Sequence, residues 1–433
     1  MSSSFPLSTE QRSMMYMDRL LGPGILHNIT ATLDLPTGTT RALVVQALRR
    51  LSDWHQGLLA IVDGPNGGTQ RIGRREIEVL DPPAEVLGDS EVQLARLRHL
   101  RLNRNNEPRV RAEFSESGTG NPQLALALDH LTADGTSRTV VMRDLAALLD
   151  PSGARLVRPS PIPQPFADYC REQERTMIAE GTRRRELERW KRALDGVAPL
   201  TGLTPKGSRN RPLEARVWQT CLSGREMYDT LHALVDSTRT TAFVVASTLY
   251  SLVLWRRTNA QSSALVTPVP TRSTTLTQNL VANMAVERPV PYRIEPAADF
   301  NTLAQSVGNN FLGSMRGSRV ATPDLAEEID EFRALFQSPD CEYLQLQVEV
   351  AGPDRELPPP GEQSNPWAPY QPPTDITCTV LRVITAPHGT LLTTFYGGPT
   401  GVGETVNALT RDFVRLARLV VRNPRTPVWQ LTD

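Results

Sequence analysis

The chain has 433 residues, and its 47 lysines and arginines balance its 47 aspartates and glutamates, so the formal net charge is zero. This length can bury a core in each of two lobes and excludes a disulfide-stabilised miniprotein, while zero net charge provides no field that attracts nucleic acid or an acidic membrane. The four cysteines are far apart and include no CxxC pair, which argues against a zinc knuckle or a disulfide framework and predicts reduced, buried thiols.

The N-terminal sequence shows no export signal. Met1 is not followed by the charged and apolar segments of a signal peptide, and the longest apolar run, 242–255, is too short to cross a bilayer. We therefore expect a cytoplasmic protein with neither a membrane nor nucleic acid as a partner. The apolar run is expected to form a buried helix.

Hydrophobic spacing in the first part of the chain predicts alternating helices and strands. Apolar residues at every third or fourth position are typical of a helix, and strict alternation is typical of a half-buried strand. The predicted order is a helix through 14–21 capped by Ser8 or Thr9, strand 29–35, a helix through 43–51 preceded by Thr39 and Thr40, strand 58–62, helix 90–100, strands 110–114 and 124–130, and helix 140–149. Alternation in strand 124–130 places His130 on one face and Asp129 on the other.

A proline-rich segment at 151–165 has a proline at every second position from Pro159 to Pro165, so it cannot be helical and predicts a stiff connector. We place the domain boundary here, with an N-terminal lobe at 1–165 and a C-terminal lobe at 166–433. The second lobe is predicted to contain a charged helix 166–194, strand 215–222, helices 223–235 and 241–257, strand 264–268, helix 300–315, strands 374–384 and 391–396, and helix 402–421. A second proline-rich stretch, about 352–373, predicts an irregular crossing loop or lid.

The strongest candidate for a chemical site is the segment Asp129-His130-Leu-Thr-Ala-Asp134-Gly135-Thr-Ser137, which follows the predicted strand and precedes a helix. A histidine there can reach a cleft, and a neutral imidazole can take a proton from an attacking amine or hydroxyl. Asp134 is expected to pair with an arginine or to cap backbone donors, and Gly135 permits close substrate approach and unusual backbone angles. A histidine at a strand end is also often structural, and the spacing alone leaves both roles open.

The motif and its surroundings resemble the condensation-domain superfamily of nonribosomal peptide synthetases, which has the signature HHxxxDG and includes chloramphenicol acetyltransferase. The resemblance covers nearly all of the chain, although the arginines of the family's RHExLR block are absent. The matching blocks are LSTEQ at 7–11, ALRRL through HQGLL at 47–59, VTPVPTR at 266–272, LVANMAVER at 280–288, TDI at 374–376 and NP at 423–424.

The resemblance implies an α/β (α+β) fold of two chloramphenicol-acetyltransferase-like lobes in a V-shaped pseudo-dimer, with the active histidine in a central tunnel. It implies an acyltransferase that joins an acyl or peptidyl thioester to an amine or hydroxyl of a small-molecule or carrier-bound acceptor in natural-product biosynthesis. The substrates would arrive on the phosphopantetheine arm of carrier proteins or on coenzyme A, with no bound metal or redox cofactor. Because the first and last blocks lie near the chain ends, we expect a freestanding monomer without a fused carrier or adenylation domain.

Individual roles follow from the matched positions. The resemblance makes His130 the catalytic histidine, Asp134 the structural acid and Gly135 the glycine near the reacting carbonyl. Arg272 is the implied partner of Asp134, and Asn283 lies in a further supporting block.

The chain departs from the family signature at Asp129, which takes the place of the first histidine. One interpretation is that Asp129 lies on the opposite strand face and only packs or hydrogen-bonds. A second is that Asp129, Asp134 and Ser137 match DxxxxDxxS, the pattern of heterocyclization domains, which generally lack the histidine retained here. A third is a noncatalytic docking module that recruits a partner enzyme to a carrier-bound peptide.

Other candidate motifs are weaker. The glycine-rich segment 397–403 precedes a helix and could bind an anion, but a flexible turn is the simpler interpretation. Trp367 and Tyr370 are expected to cover apolar surface rather than line a tunnel. The remaining histidines have no metal-ligand spacing and are expected to be surface or hydrogen-bonded structural residues; they are His27, His55, His99, His232 and His388.

Overall fold

The structure, a computed structural model, describes most of the chain. The described residues are 4–21, 28–63, 68–73, 76–86, 90–100, 102, 109–116, 121–150, 165–179, 181–205, 211–316, 319–338, 340–357, 361–365 and 377–431. The predicted connector at 151–165 therefore lies outside the described residues except for Pro165. Trp367, Tyr370 and the block at 374–376 also lie outside them.

The chain groups into two compact units, each assembled from separate segments. The first contains residues 1–18, 24–183 and 270–286, and the second contains 19–23, 184–269 and 287–433. Residues 166–183 and 270–286 thus group with the N-terminal part of the chain, on the other side of the boundary placed at 165. The lobe boundary, the V shape and the tunnel stay predictions.

Helices and short strands make up the first unit. The helices are α1 (Thr9–Leu21), α2 (Arg41–Trp54), α3 (Ser90–His99), α4 (Gly135–Leu148), α5 (Phe166–Ile178) and α9 (Thr275–Gln278). The strands are β1 (Phe5–Pro6), β2 (Ile29–Asp34), β3 (Ala60–Val62), β4 (Thr69–Ile72), β5 (Val79–Leu80), β6 (Val110–Ser115) and β7 (Gln123–Leu128). They form a three-stranded sheet in the order β1-β4-β3 and a four-stranded sheet in the order β2-β7-β6-β5.

Local sequence explains how α1 and α2 begin. The hydroxyl of Ser8 accepts the backbone N–H of Gln11 at 3.1 Å, and the Gln11 side chain accepts the N–H of Ser8 at 3.0 Å. This reciprocal pair is a capping box. Helix α2 has a simpler N-cap, in which the hydroxyl of Thr40 accepts the N–H of Leu43. The apolar face of α2 packs with α4 and the four-stranded sheet into the main core of this unit.

The second unit is built on one large sheet. Its helices are α6 (Thr182–Leu194), α7 (Glu226–Thr238), α8 (Ala242–Thr258), α10 (Phe300–Arg316), α11 (Thr322–Glu328), α12 (Asp330–Gln337) and α13 (Gly403–Arg422). Its strands are β8 (Leu213–Ser223), β9 (Ser262–Pro270), β10 (Ala285–Arg293), β11 (Glu342–Val350), β12 (Gly361–Asn365), β13 (Thr377–Ala386) and β14 (Gly389–Pro399). The sheet order is β10-β9-β11-β13-β14-β8-β12, with β11 parallel to both β9 and β13.

The apolar run at 242–255 forms the centre of this unit. It lies in α8, in which all residues from 244 to 254 are buried against the sheet and neighbouring helices. The prediction of a buried helix is confirmed, because an apolar surface on every side of a helix requires packing on every side. Among the described residues, none of the helices has the length and apolarity that crossing a membrane requires. All four cysteines are buried and free, as predicted.

Three element predictions were wrong. The charged helix predicted at 166–194 is two helices, since α5 ends at Ile178, Gly181 has a φ of +78° and α6 begins at Thr182. The strand predicted at 124–130 ends at Leu128, so side-chain alternation does not extend to Asp129 and His130. The irregular stretch predicted at 352–373 contains β12, which pairs antiparallel with β8; residues 358–360 and 366–373 lie outside the described residues.

Gly57 allows the closest backbone approach in the first unit. A Cβ atom at this position would lie 2.4 Å from the carbonyl oxygen of Val281, a residue of segment 270–286. We expect Gly57→Ala to lower the free energy of unfolding by about 1–3 kcal/mol, because the backbone at 281 must move to make room. Urea unfolding measures this. Gly313→Ala in α10 is the control, since a Cβ there meets nothing within 4 Å, and equal effects of both changes would contradict the prediction.

Candidate active site

His130 lies in the turn between β7 and α4. The backbone on its C-terminal side is held by Asp129, whose carboxylate oxygen Oδ1 accepts the N–H of Leu131 at 2.8 Å and whose carbonyl accepts the N–H of Thr132 at 2.9 Å. Leu131 is buried in a small apolar cluster. The imidazole is half-buried, and its Nδ1 is shielded from solvent with no hydrogen-bond partner among the described residues. The backbone is thus anchored, while part of the ring remains exposed to solvent.

Asp134 determines where α4 begins. Its Oδ1 accepts the N–H of Ser137 at 2.7 Å and the Ser137 hydroxyl at 2.8 Å, which makes it the N-cap. Helix α4 therefore begins at Gly135, five residues before the predicted start. Both expectations for Asp134 are met together, because the carboxylate also pairs with an arginine.

Arg272 provides that pair. Its Nη2 lies 2.8 Å from Asp134 Oδ1 and 3.1 Å from Oδ2, with both side chains largely buried. Nη1 of Arg272 donates to the carbonyl oxygens of Thr277 and Leu280, each at 2.7 Å. The ion pair implied by the family resemblance is present, and it ties segment 270–286 to the start of α4.

Ser137 and Met284 complete this network. The N–H of Ala282 donates to the Ser137 hydroxyl at 3.2 Å, and the N–H of Met284 donates to Asp134 Oδ2 at 3.1 Å. Ser137 is fully buried, so in this structure its hydroxyl supports the fold. A hydrogen-bonded buried carboxylate of this kind rigidifies the backbone that carries it.

Asn283 lies between these anchoring points. It is 1% exposed, and its Oδ1 accepts the N–H of Ala285 at 3.2 Å. Its Nδ2 has no hydrogen-bond partner among the described residues. Asn283 therefore makes a local turn contact just before β10, and its supporting role at the site stays a prediction.

Gly135 borders open space. It is exposed, and a Cβ atom built there meets nothing within 4 Å. Its backbone is helical and its φ is not positive, so the expected use of unusual backbone angles was wrong. The space beside Gly135 leaves room for the close approach of a substrate.

Asp129 is not an exposed acid. It is 2% exposed, and Arg109 Nη1 donates to its Oδ2 at 3.0 Å. Arg109, which the sequence did not single out, is fully buried and also donates through Nε to the carbonyl of Ala60 at 3.2 Å. The first interpretation of Asp129, a side chain that packs and hydrogen-bonds, matches this geometry.

A second buried network was also missed. The Glu10 carboxylate is buried and accepts hydrogen bonds from the hydroxyl groups of Tyr169 and Thr271 and from Nε2 of Gln173. Burial raises the pKa of the Tyr169 phenol, and the neighbouring Glu10 carboxylate raises it further, so the phenol stays a donor. Because Thr271 precedes Arg272 in sequence, this network anchors the chain next to the Asp134 ion pair.

His55 is a structural residue rather than a ligand. Its Nε2 lies 2.7 Å from Asp144 Oδ2, and both side chains are buried. Arg143 Nε donates to the other Asp144 oxygen at 2.7 Å, and Arg143 Nη1 donates to Asn279 Oδ1 at 3.1 Å. This chain connects the core of the first unit to segment 270–286.

Asp144 predicts an acid-dependent contribution to stability. Burial alone would raise the pKa of Asp144, but the hydrogen bonds and charges of His55 and Arg143 outweigh it and hold the pKa below its ordinary value. A lowered folded-state pKa stabilises the protein above the unfolded pKa, and this contribution is lost as the pH falls through the folded pKa. Asp144→Asn should therefore reduce the unfolding free energy by about 1–3 kcal/mol at neutral pH, with the difference from wild type narrowing below about pH 4.

Urea unfolding at several pH values measures this difference. If the difference in unfolding free energy between wild type and Asp144→Asn stays constant from neutral to acidic pH, the charge of the carboxylate contributes nothing to stability. Asp412→Asn, which removes an exposed partner of Arg257, is the control for a surface charge change.

In the described part of the chain, the weaker candidate motifs form no catalytic or ligand-binding site. Gly401 turns the chain before α13, and its N–H donates to the Glu214 carboxylate at 3.1 Å, so an anion there would meet a negative charge. His232 bonds the Tyr228 carbonyl and His388 is exposed. His27 and the His99 side chain lie outside the described residues. No group of three His, Cys, Asp or Glu side chains in the described ranges is arranged to hold a metal.

The geometry supports one chemical centre in the first unit. It consists of a half-buried imidazole on an anchored turn, open space at Gly135 and a buried ion pair that fixes the start of α4. Such an imidazole can accept a proton from a nucleophile held beside it.

Comparisons with known proteins identify the family and fold of the chain. A family model described as Condensation domain matches residues 1–339. Tyrocidine synthase 3 of Brevibacillus parabrevis is 22% identical over 339 residues, which cover 77% of this chain and 5% of that protein. The chain thus spans only a small part of the length of that relative.

Two solved structures share the fold. The SgcC5 protein from Streptomyces globisporus has a TM-score of 0.74 and 19% identity, covering 98% of this chain and 100% of that one. The X-domain from teicoplanin biosynthesis, in complex with OxyB, has a TM-score of 0.75 and 19% identity, covering 100% and 96%. These similarities confirm the predicted fold of mixed helices and sheets, and with a family match over more than half of its length this chain belongs to the Condensation domain family.

Proposed function

We propose that this protein is a condensation-type acyltransferase of natural-product biosynthesis. It transfers an acyl or peptidyl group from a thioester on a carrier protein or coenzyme A to an amine or hydroxyl acceptor. The observation that carries the proposal is the half-buried imidazole of His130 on a turn anchored by Asp129 and Leu131, followed in the chain by the open space at Gly135.

In the proposed reaction the nucleophile attacks the thioester carbonyl. A carbon–nitrogen or carbon–oxygen bond forms and the carbon–sulfur bond breaks. His130 takes the proton from the nucleophile and returns it to the departing thiolate, so protons and electrons balance without a metal or redox cofactor. The open space at Gly135 receives the acyl carbonyl, while Asp134 and Arg272 hold the backbone in place.

The partners that this proposal requires are carrier proteins with a phosphopantetheine arm, or coenzyme A, and a small-molecule or carrier-bound acceptor. The freestanding, monomeric state and the cytoplasmic location stay predictions. The second candidate is a noncatalytic recruiting module, favoured by the aspartate at 129 and by the fold shared with the X-domain, which is described in complex with OxyB.

Intact-protein mass spectrometry tests the proposal. A panel of aminoacyl-loaded and fatty-acyl-loaded carrier proteins is incubated with amine or hydroxyl acceptors, with and without this protein. We expect the acyl mass to leave the donor carrier and to appear on the acceptor only when the protein is present. An additional loss of water from the product would indicate ring formation, and binding of a loaded carrier without any transfer would indicate the recruiting role.

A further inference from the structure

Arg109 and Asp129 occupy matched positions at the ends of two paired strands. Arg109 directly precedes β6 and Asp129 directly follows β7, next to the register pair Val110 and Leu128. The N–H of Asp129 donates to the Arg109 carbonyl at 2.8 Å, and Arg109 Nη1 donates to Asp129 Oδ2 at 3.0 Å. The two side chains are 1% and 3% exposed, so the ion pair is withdrawn from solvent.

The two carboxylate oxygens of Asp129 have different tasks. Oδ2 accepts from Arg109, while Oδ1 accepts the N–H of Leu131 across His130. Arg109 is in turn held by the carbonyl of Ala60 in β3. A chain of hydrogen bonds therefore runs from the three-stranded sheet through Arg109 and Asp129 to the backbone on the far side of His130.

We propose that Arg109 and Asp129 form a positioning pair that sets the orientation of His130, and that Asp129 does not itself exchange protons with the substrate. This inference rests on the proposed function for its kinetic consequences, but its structural consequence stands independently. Asp129 acts through the turn it closes, and Arg109 provides the charge that an aspartate requires at a buried position.

The environment of Asp129 opposes a role in acid–base chemistry. An acid or base must reach the reacting atoms, whereas Asp129 is 2% exposed and both of its oxygens are engaged. The guanidinium of Arg109 favours the ionised carboxylate, which cannot act as a proton donor. The ring-forming interpretation requires chemistry from this residue, and the geometry does not offer it.

Two double variants separate positioning from folding. Replacing only Arg109 leaves a buried carboxylate without its charge partner, which destabilises the fold for reasons unrelated to His130. Arg109→Met with Asp129→Leu and Arg109→Met with Asp129→Asn both remove the ion pair. They differ at one side chain, because only asparagine keeps an oxygen that accepts the N–H of Leu131.

We expect the two variants to differ in the orientation of the His130 imidazole and to have similar thermal stability. Their thermal midpoints should be similar, whereas kcat of the asparagine variant should exceed that of the leucine variant about tenfold, with KM changed less than about twofold, because one hydrogen bond that holds the turn is lost. The ¹H–¹⁵N signals of the His130 imidazole should match wild type in the asparagine variant and broaden or shift in the leucine variant.

Two outcomes would overturn the proposal. One is that both double variants show the same kcat and the same His130 signals. The other is that Asp129→Asn, alone or with Arg109→Met, removes a limb of the pH–rate profile and lowers kcat by about 10²–10⁴, the size expected for a lost acid or base. The single Asp129→Asn variant keeps the oxygen that accepts the Leu131 N–H but removes the negative charge beside buried Arg109, so its pH profile is measured together with its thermal midpoint. If wild type transfers no acyl group, the proposed function fails, while the imidazole signals still decide the positioning pair.

Discussion

Replacing His130 with alanine should reduce acyl transfer from a loaded carrier protein by about 10²–10⁴-fold, the contribution typical of a positioned acid–base group. The fold should be retained, because the surrounding turn is held by backbone contacts and by Asp129 rather than by the imidazole. Single-turnover transfer, followed by intact mass spectrometry, measures the change in rate. Thermal unfolding measured in parallel should give a midpoint close to that of wild type.

The matched control for this experiment is His388→Ala. His388 is exposed in the turn between β13 and β14 and should leave both transfer and stability unchanged. Undiminished transfer by the His130 variant would rule out the proposed mechanism and leave the recruiting role as the better candidate. A large loss of stability would instead assign His130 a structural role.

Replacing Arg272 with methionine should have the largest effect on stability. The change leaves the carboxylate of Asp134 largely buried without a cationic partner, and it removes the donors to the carbonyls of Thr277 and Leu280. Removing one partner of a buried ion pair costs about 3–5 kcal/mol, and we expect a loss of that size in the free energy of unfolding. Urea unfolding and the yield of soluble protein measure it.

Arg382→Met provides the comparison for this second prediction. Arg382 pairs with Glu349 at 2.9 Å, but both side chains are about half exposed. Exposed ion pairs contribute about 0–1 kcal/mol, so the control should have little effect. If the two substitutions destabilise the protein equally, the Asp134 pair has no special role in holding segment 270–286.

Local patterns predicted many elements of this fold. The cap at Ser8, the threonines before α2 and the apolar run of α8 depend on residues a few positions apart, so their signals are complete in a short stretch of sequence. Strand β11 was not predicted, although its residues 344–350 alternate strictly between apolar and polar side chains, which is the pattern of a half-buried strand; this signal was present in the sequence and was overlooked.

The residues of the candidate site also divide into those that the sequence identified and those that it did not. The motif from Asp129 to Ser137 and its similarity to a known family identified His130, Asp134, Gly135 and Arg272. Arg109 escaped notice, because an arginine at the start of an unremarkable strand carries no local sign of its partner. Glu10 and the pair of His55 and Asp144 were missed for the same reason, since their partners lie 89 to 261 positions away in the chain.

The sequence by itself determined the family and the mixed architecture, through short blocks distributed along the chain, and the candidate histidine, through one contiguous motif. Only the tertiary structure decided that Asp129 is a buried partner of Arg109 rather than an acid facing a substrate, and that segment 270–286 packs against the start of α4. The physical reason is that burial and ion pairing depend on which distant residues the folded chain brings within a few ångströms, and the free energy of a charge depends on those neighbours.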